Sequence, residues 1–100
     1  MKAAYRFRVP DGVASLIRGL HPELKQKVQI SLALLGRDRH AGKALQAELE
    51  GLYNLRSGRL RIVYRPGRRR SIEIVAIGPR ERVYEETLRL LRRKPEGKPR

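Results

Sequence analysis

Tyr5, Phe7 and Val9 alternate with Arg6 and Arg8 and are stopped by Pro10-Asp11-Gly12. This period of two predicts a short strand with one buried face. Val13, Leu16, Ile17 and Leu20 then recur at i, i+3, i+4 and i+7, which predicts a short amphipathic helix ending between Gly19 and Pro22. Pro22 suits the first position of a second helix, in which Leu24, Val28, Leu32 and Leu35 line one face and Gly36 supplies the stop. The two runs read as a helical hairpin. From Arg37 to Gly42 the chain is polar, and Leu45, Leu49 and Leu52 would set a loop or short helical turn against the core.

Residues 52–56 and 59–65 read as two strands joined at Ser57-Gly58, where glycine permits the positive φ of a tight hairpin. A second turn at Pro66-Gly67 leads through Arg68-Arg69-Arg70 into residues 72–77, which are apolar on both faces from Ile74 onward, as in a central strand covered on both sides. Gly78-Pro79 ends that run. Val83, Tyr84, Thr87, Leu88 and Leu91 then have the spacing of a last helix ending in Arg92-Arg93-Lys94, basic residues that suit a helix C-terminus. Residues 95–100 hold Pro, Gly and Lys and nothing apolar, and read as a flexible basic tail. The expectation is one α+β domain over residues 1–94, in the order strand, helix, helix, three strands, helix.

A chain of 100 residues has room for one hydrophobic core. It carries 24 Lys and Arg against 10 Asp and Glu, a formal charge of +14 that repels itself unless something negative is bound. Most of the basic residues are Arg, whose planar fork suits bidentate contact with phosphate or carboxylate, and most of the excess lies in the second half. A polyanion or an acidic protein is the expected partner. The absence of Cys excludes a disulfide framework, a thiol nucleophile and a thiolate metal site, and fits a reducing cytoplasm. No signal-peptide core opens the chain and no apolar run approaches membrane-spanning length. His21 and His40 are isolated, without metal-ligand spacing, and the glycines are scattered singly instead of forming a phosphate loop.

Candidate chemistry concentrates on arginine. Arg56, Arg59, Arg61 and Arg65 stand at mostly even offsets across the hairpin, with Arg80 just past the next strand and Tyr84 one helical turn later. Arg61, Val63 and Arg65 would face one way and Leu60, Ile62 and Tyr64 the other, putting two guanidiniums on an open surface. The spacing fits a solvated sheet face equally well. Tyr84 also fits the apolar stripe of the last helix, and Arg68 to Arg70 also fit an exposed turn.

The run L-x-x-x-L-x-G-L-Y-x-L-R-S-G from Leu45 to Gly58, then R-I-V-Y from Arg61 to Tyr64 and I-x-I-V-A-I-G-P-R-E-R-V-Y from Ile72 to Tyr84, resembles the RelE/ParE family of bacterial type II toxins. The resemblance implies a RelE-like β-α-α-β-β-β-α fold: a four-stranded antiparallel sheet with two N-terminal helices on one face, a C-terminal helix, and a concave basic opposite face. For the RelE branch it implies a metal-independent endonuclease that cuts messenger RNA in the A site of the 70S ribosome, using the RNA's own 2′-hydroxyl as nucleophile. It also implies an acidic cognate antitoxin as partner, and no cofactor.

The arginine of the branch's G-x-R-x-x-Y strand corresponds to Arg61, the arginine of its next G-x-R turn to Arg80, and the tyrosine of its V-Y pair to Tyr84. Arg61 and Arg80 would stabilise charge that develops on the attacked phosphate and the departing 5′ oxygen. Tyr84 would stack on or orient the scissile nucleotide. Arg56, Arg59, Arg65, Arg68, Arg69 and Arg82 are the candidates for binding flanking RNA phosphates.

The sequence departs from the family pattern at two places. Tyr53-Asn54-Leu55 stands where some members carry a Lys pair, and Pro79 where others have His, leaving the general acid and base unassigned. Lys43, near the position of a catalytic Glu in certain members, is a candidate base whose ordinary pKa of ~10.4 would need to fall. The alternatives are a ParE-like inhibitor of DNA gyrase that is not a nuclease, and a catalytically inactive RNA-binding relative.

Overall fold

The computed structural model describes residues 5–97. Alternation at Tyr5 to Val9 produces β1 (Arg6–Arg8), and the two helical runs fold as α1 (Asp11–Arg18) and α2 (Pro22–Leu35). Pro22 occupies the first turn of α2, while the His21 ring accepts a hydrogen bond from the Glu23 amide at 3.3 Å and caps the helix. A two-residue β2 (Lys43–Ala44) and a 3-10 turn (Ala47–Leu49) precede the meander of β3 (Tyr53–Ser57), β4 (Leu60–Pro66) and β5 (Ser71–Pro79). The last helix, α3, spans Arg80–Gly97.

The strands form one sheet in the order β1-β5-β4-β3-β2. Its class is the expected one, but it has five strands instead of four and is not wholly antiparallel. β1 lies parallel to β5, pairing Arg6 with Ser71 and Arg8 with Glu73, because the α1–α2 hairpin carries the chain across the sheet between them. The added strand is β2, whose Lys43 and Ala44 pair with Asn54 and Tyr53. Gly42 makes that approach possible: a Cβ there would lie 2.5 Å from the Asn54 carbonyl oxygen and 2.8 Å from the Tyr64 hydroxyl.

Each sheet face has its own core. Under α1 and α2 lie Leu60, Ile62, Tyr64, Ile72, Ile74 and Ile77 with Val28 and Leu35 of α2. On the other face Leu52, Val63, Ala76 and Val83 are buried, with Leu45, Leu49, Tyr84, Leu90 and Leu91 packed around them. α3 and the segment from Leu45 to Leu52 therefore cover the middle of the face that was expected to be concave and basic, and Val63 is wholly buried there. The central strand was expected to be covered on both sides, and the second apolar set, with Val63 and Leu52 added to β5's Ala76, shows that the neighbouring strand is covered on both sides as well.

β5 reaches both cores through a bulge. Val63 pairs with Ala76 but Tyr64 pairs with Ile74, so Val75 is the extra residue. Val75 and Ala76 both pack on the α3 side, and Ile77 returns to the side of Ile74 and Ile72. Strict alternation would have put Ala76 in the first core and Ile77 in the second.

Tyr64 ties the sheet to the loop after α2. Its hydroxyl donates to the Arg39 carbonyl at 2.8 Å and accepts from the Gly42 amide at 3.0 Å, while its ring stacks on Tyr53 with centroids 5.6 Å apart. Burial pushes the Tyr64 pKa above the usual tyrosine value, against a smaller opposing effect of the Gly42 hydrogen bond.

Two boundaries differ from the sequence reading. The β4–β5 reversal is made by Arg68 to Ser71, not at Pro66-Gly67, with the Ser71 amide bonded to the Arg68 carbonyl at 3.0 Å. α3 begins directly at Arg80 and continues to Gly97, into the segment read as a tail, while residues 98–100 lie outside the described residues. No helix among the described residues is long and apolar enough to cross a membrane.

Candidate nucleic-acid interface

The short reversal at Gly58-Arg59 fixes the register of β3 against β4 and sets Arg56 directly opposite Arg61. Directly opposed residues of an antiparallel pair share a face, so both guanidiniums emerge on the α3 side of the sheet. Gly78 opposes Arg61 from β5 and puts no side chain beside it. Arg80, exposed, opens α3 two residues later. Tyr84 follows by one helical turn, half-buried against the cluster of Leu52, Val63, Ala76 and Val83.

One corner of the sheet thus gathers Arg56, Arg61, Arg80 and Tyr84. Like charges directly opposite across a strand pair destabilise a sheet, and Arg stays protonated at any physiological pH. An anion held between Arg56 and Arg61 would relieve that repulsion. The first turn of α3 adds backbone amides without intrahelical partners and the positive end of the helix dipole at the same corner.

The other sequence candidates are dispersed. Arg59 is exposed at the tip of the β3–β4 reversal. Lys43 is exposed on the same face, two strands and one row of residues from Arg61, about 12 Å between Cα atoms on ordinary sheet spacing. Arg65 does not stand free beside Arg61: its Nε and Nη2 both donate to Glu73 Oε1, at 2.9 and 2.7 Å. Arg82 lines an open groove between α1 and α3, with Arg8, Leu16 and Arg89. Arg68 and Arg69 occupy the β4–β5 turn, at the opposite end of β4 and about 20 Å from Arg61 at ordinary strand rise.

Sequence spacing missed one arrangement altogether. Arg39 and Arg70 both place their guanidinium carbons over the Tyr5 ring, at 4.6 and 4.5 Å from its centroid. These residues come from three separate segments, so no local pattern announces them.

A family model described as "ParE toxin of type II toxin-antitoxin system, parDE" matches residues 15–84. The chain belongs to the ParE toxin family. Within this ParE-family toxin the matched region contains Lys43, Arg56, Arg61, Arg80 and Tyr84. Solved structures share its fold. The toxin-antitoxin complex RelBE2 from Mycobacterium tuberculosis superposes with a TM-score of 0.66 at 23% identity, covering 79% of this chain and 94% of that one. A doubly substituted E. coli RelE in the free state gives 0.67 at 20% identity, with 86% and 96% covered. The archaeal RelE-RelB complex from Pyrococcus horikoshii OT3 gives 0.63 at 22% identity, with 80% and 99% covered. No curated protein sequence matches.

Proposed function

We propose that this toxin is a ribosome-dependent mRNA endonuclease whose reacting phosphate is held by Arg61 and Arg80. The observation that carries the reading is the directly opposed Arg56–Arg61 pair beside the start of α3, for which the described residues supply no ion-pair partner. In the reaction, the 2′-oxygen of the RNA attacks the adjacent phosphorus and the bond from phosphorus to the 5′ oxygen breaks. The products are a 2′,3′-cyclic phosphate and a 5′-hydroxyl. A base takes the 2′ proton, and an acid supplies one to the 5′ oxygen.

Arginine cannot readily act as that base. Its contribution is electrostatic, because the phosphorane-like transition state carries more negative charge than the ground state and fixed cations stabilise the difference. Arg56 would bind the next phosphate along the strand. Tyr84, half-buried one helical turn after Arg80, would stack on or orient the scissile nucleotide. Lys43 lies one arm's length away on the same face and is the residue to test as the base.

The partner we propose to neutralise the toxin is an acidic antitoxin, a reading supported by the likeness to the toxin-antitoxin complex RelBE2 from Mycobacterium tuberculosis, and the compartment we propose is the cytoplasm. Its acidic side chains would cover the Arg56–Arg61–Arg80 corner. A second reading, inhibition of DNA gyrase without RNA cleavage, is favoured by the match to the ParE family description. A supercoiling assay with purified gyrase separates the two: inhibition by the toxin, without any cut in a translated message, would replace the nuclease reading. An RNA-binding relative without turnover would bind with strong salt dependence, inhibit no gyrase and cut nothing.

A further inference from the structure

The outer face of α2 is apolar where a solvated helix would be polar. Val28 and Leu35 are buried and fix the inner stripe of the helix on the sheet. Ile30 follows Val28 by two residues, about 200° around the helix, and so lies on the opposite side. It is 63% exposed, more than any other large hydrophobic among the described residues. Leu34, one turn later, is 44% exposed, and Ala33 is exposed beside it. A single exposed Leu needs no explanation, but apolar neighbours sharing one face form a patch.

The patch belongs to a longer line. Glu23, Gln26, Ile30, Ala33 and Arg37 succeed one another at intervals of three, four, three and four, the spacing of a seam that packs against a second helix. Ala33 is small and allows a close approach. Arg37 prolongs the coil beyond Leu35, its amide bonded to the Leu34 carbonyl at 3.0 Å. Glu23 stands seven residues before Ile30 and Arg37 seven after; both are exposed, and neither has an ion-pair partner among the described residues. This arrangement complements itself. Under a two-fold axis at Ile30, an antiparallel copy of α2 brings Ile30 against Ile30 and sets Glu23 of each chain level with Arg37 of the other.

Charge permits contact here and opposes it elsewhere. Residues 11–38 hold four basic and three acidic side chains, a net +1 of the chain's +14. Two copies that met by their strand ends or by α3 would bring the remaining charge together, whereas copies that meet by α2 keep it apart.

We infer that the outer face of α2 is an interface between two copies of this chain, an antiparallel helix pair about a two-fold axis at Ile30. The Arg56–Arg61–Arg80 corner lies on the other side of the sheet, so both corners of the dimer stay open. One helix pair buries less than the ~1,200 Å² of a stable interface, and the association is therefore weak and depends on concentration. The inference does not require cleavage.

Sedimentation equilibrium of the intact chain from about 10 μM to about 1 mM, a range suited to weak association, tests it. The average mass should rise from 11.5 kDa towards twice that value. Ile30→Glu, which introduces a good helix former, should remain at the monomer mass with unchanged circular dichroism. Glu23→Arg and Arg37→Glu should each weaken the dimer, and the two combined should restore it, a rescue that a merely perturbed helix would not show. The chain has no cysteine, so Ile30→Cys gives a second readout. On oxidation it should cross-link two chains, while Gln29→Cys, exposed but about 100° away around the helix, should not. A chain that stays monomeric at the highest concentration and does not cross-link overturns the proposal and leaves the seam to a different protein. A dimer that survives Ile30→Glu also overturns it, by placing the interface on another surface.

Discussion

Two arginines on β4, four residues apart and on one face of the sheet, live in opposite circumstances. Arg65 faces Glu73 across the β4–β5 ladder and gives both its Nε and Nη2 to that carboxylate. Arg61 faces Arg56 across β3–β4 and Gly78 across β4–β5. The first arrangement is electrostatically closed and contributes roughly 0.2–1 kcal/mol as a partly exposed pair. The second is open, and costs a similar amount until an anion arrives. Residue type, strand and face are equal, so the difference comes only from register. A charged sheet face is a set of local pairings, and only those without an internal counter-ion are available for chemistry.

The comparison is tested most strongly by replacing the two arginines in turn. Arg61→Ala should lower the rate of ribosome-dependent cleavage by about 10²–10³, the usual cost of losing one transition-state donor, with the fold retained. Arg65→Ala should leave the rate within severalfold. Single-turnover cutting of a translated message reads both, and equal losses would remove the distinction between the open and the closed pair.

Stability offers a second handle. Tyr64→Phe should cost about 1–2 kcal/mol, since the Arg39 carbonyl and the Gly42 amide lose a buried partner. Urea unfolding measures it. The Tyr64 pKa is raised in the folded state, so its contribution is complete below the unfolded value of about 10 and is lost as pH rises through the higher folded value. The stability difference between wild type and Tyr64→Phe should therefore narrow only above about pH 10. Narrowing at neutral pH would contradict that linkage. If the β2 loop is positioned by this hydroxyl, Lys43 moves with it while Arg61 does not, so cleavage by the variant also reports whether Lys43 matters.

The smallest effects are the most discriminating. Arg56→Glu converts the like-charged pair into an opposite-charged one and should raise stability by about 0.2–1 kcal/mol while weakening RNA binding. Glu73→Gln should do the reverse to the closed pair, lowering stability by a similar amount with cutting nearly unchanged. Thermal unfolding in low salt suffices for both, and high salt should shrink each difference. A destabilised Arg56→Glu would mean that repulsion with Arg61 is not felt.

Much of this layout was legible from spacing. The helical pair follows from Val13, Leu16, Ile17 and Leu20 and from Leu24, Val28, Leu32 and Leu35, because a buried stripe imposes a period on the chain. For Arg56, Arg59, Arg61 and Arg65 the mostly even offsets only suggested a shared face, and it is the observed register that sets Arg56 opposite Arg61. What could not be read depends on partners distant in sequence. The parallel pairing of β1 is decided by the crossover, and the bulge at Val75 by the need to fill two cores at once. Gly42 needs a close approach to Asn54 that only the folded loop reveals. For the same reason Arg65 looked equivalent to Arg61, and Arg68 and Arg69 looked like neighbours of a corner that lies at the other end of the strand. The continuation of α3 past Pro95 also runs against the compositional signal of that segment.

The central claim is that the Arg56–Arg61–Arg80 corner cuts RNA on the ribosome. Primer extension on a translated message with 70S ribosomes, with wild type and Arg61→Ala side by side, tests it most directly. Discrete new stops with wild type, absent or at least a hundredfold weaker with the variant, are the predicted result. Stops of equal strength with both proteins, or none with either, would contradict it.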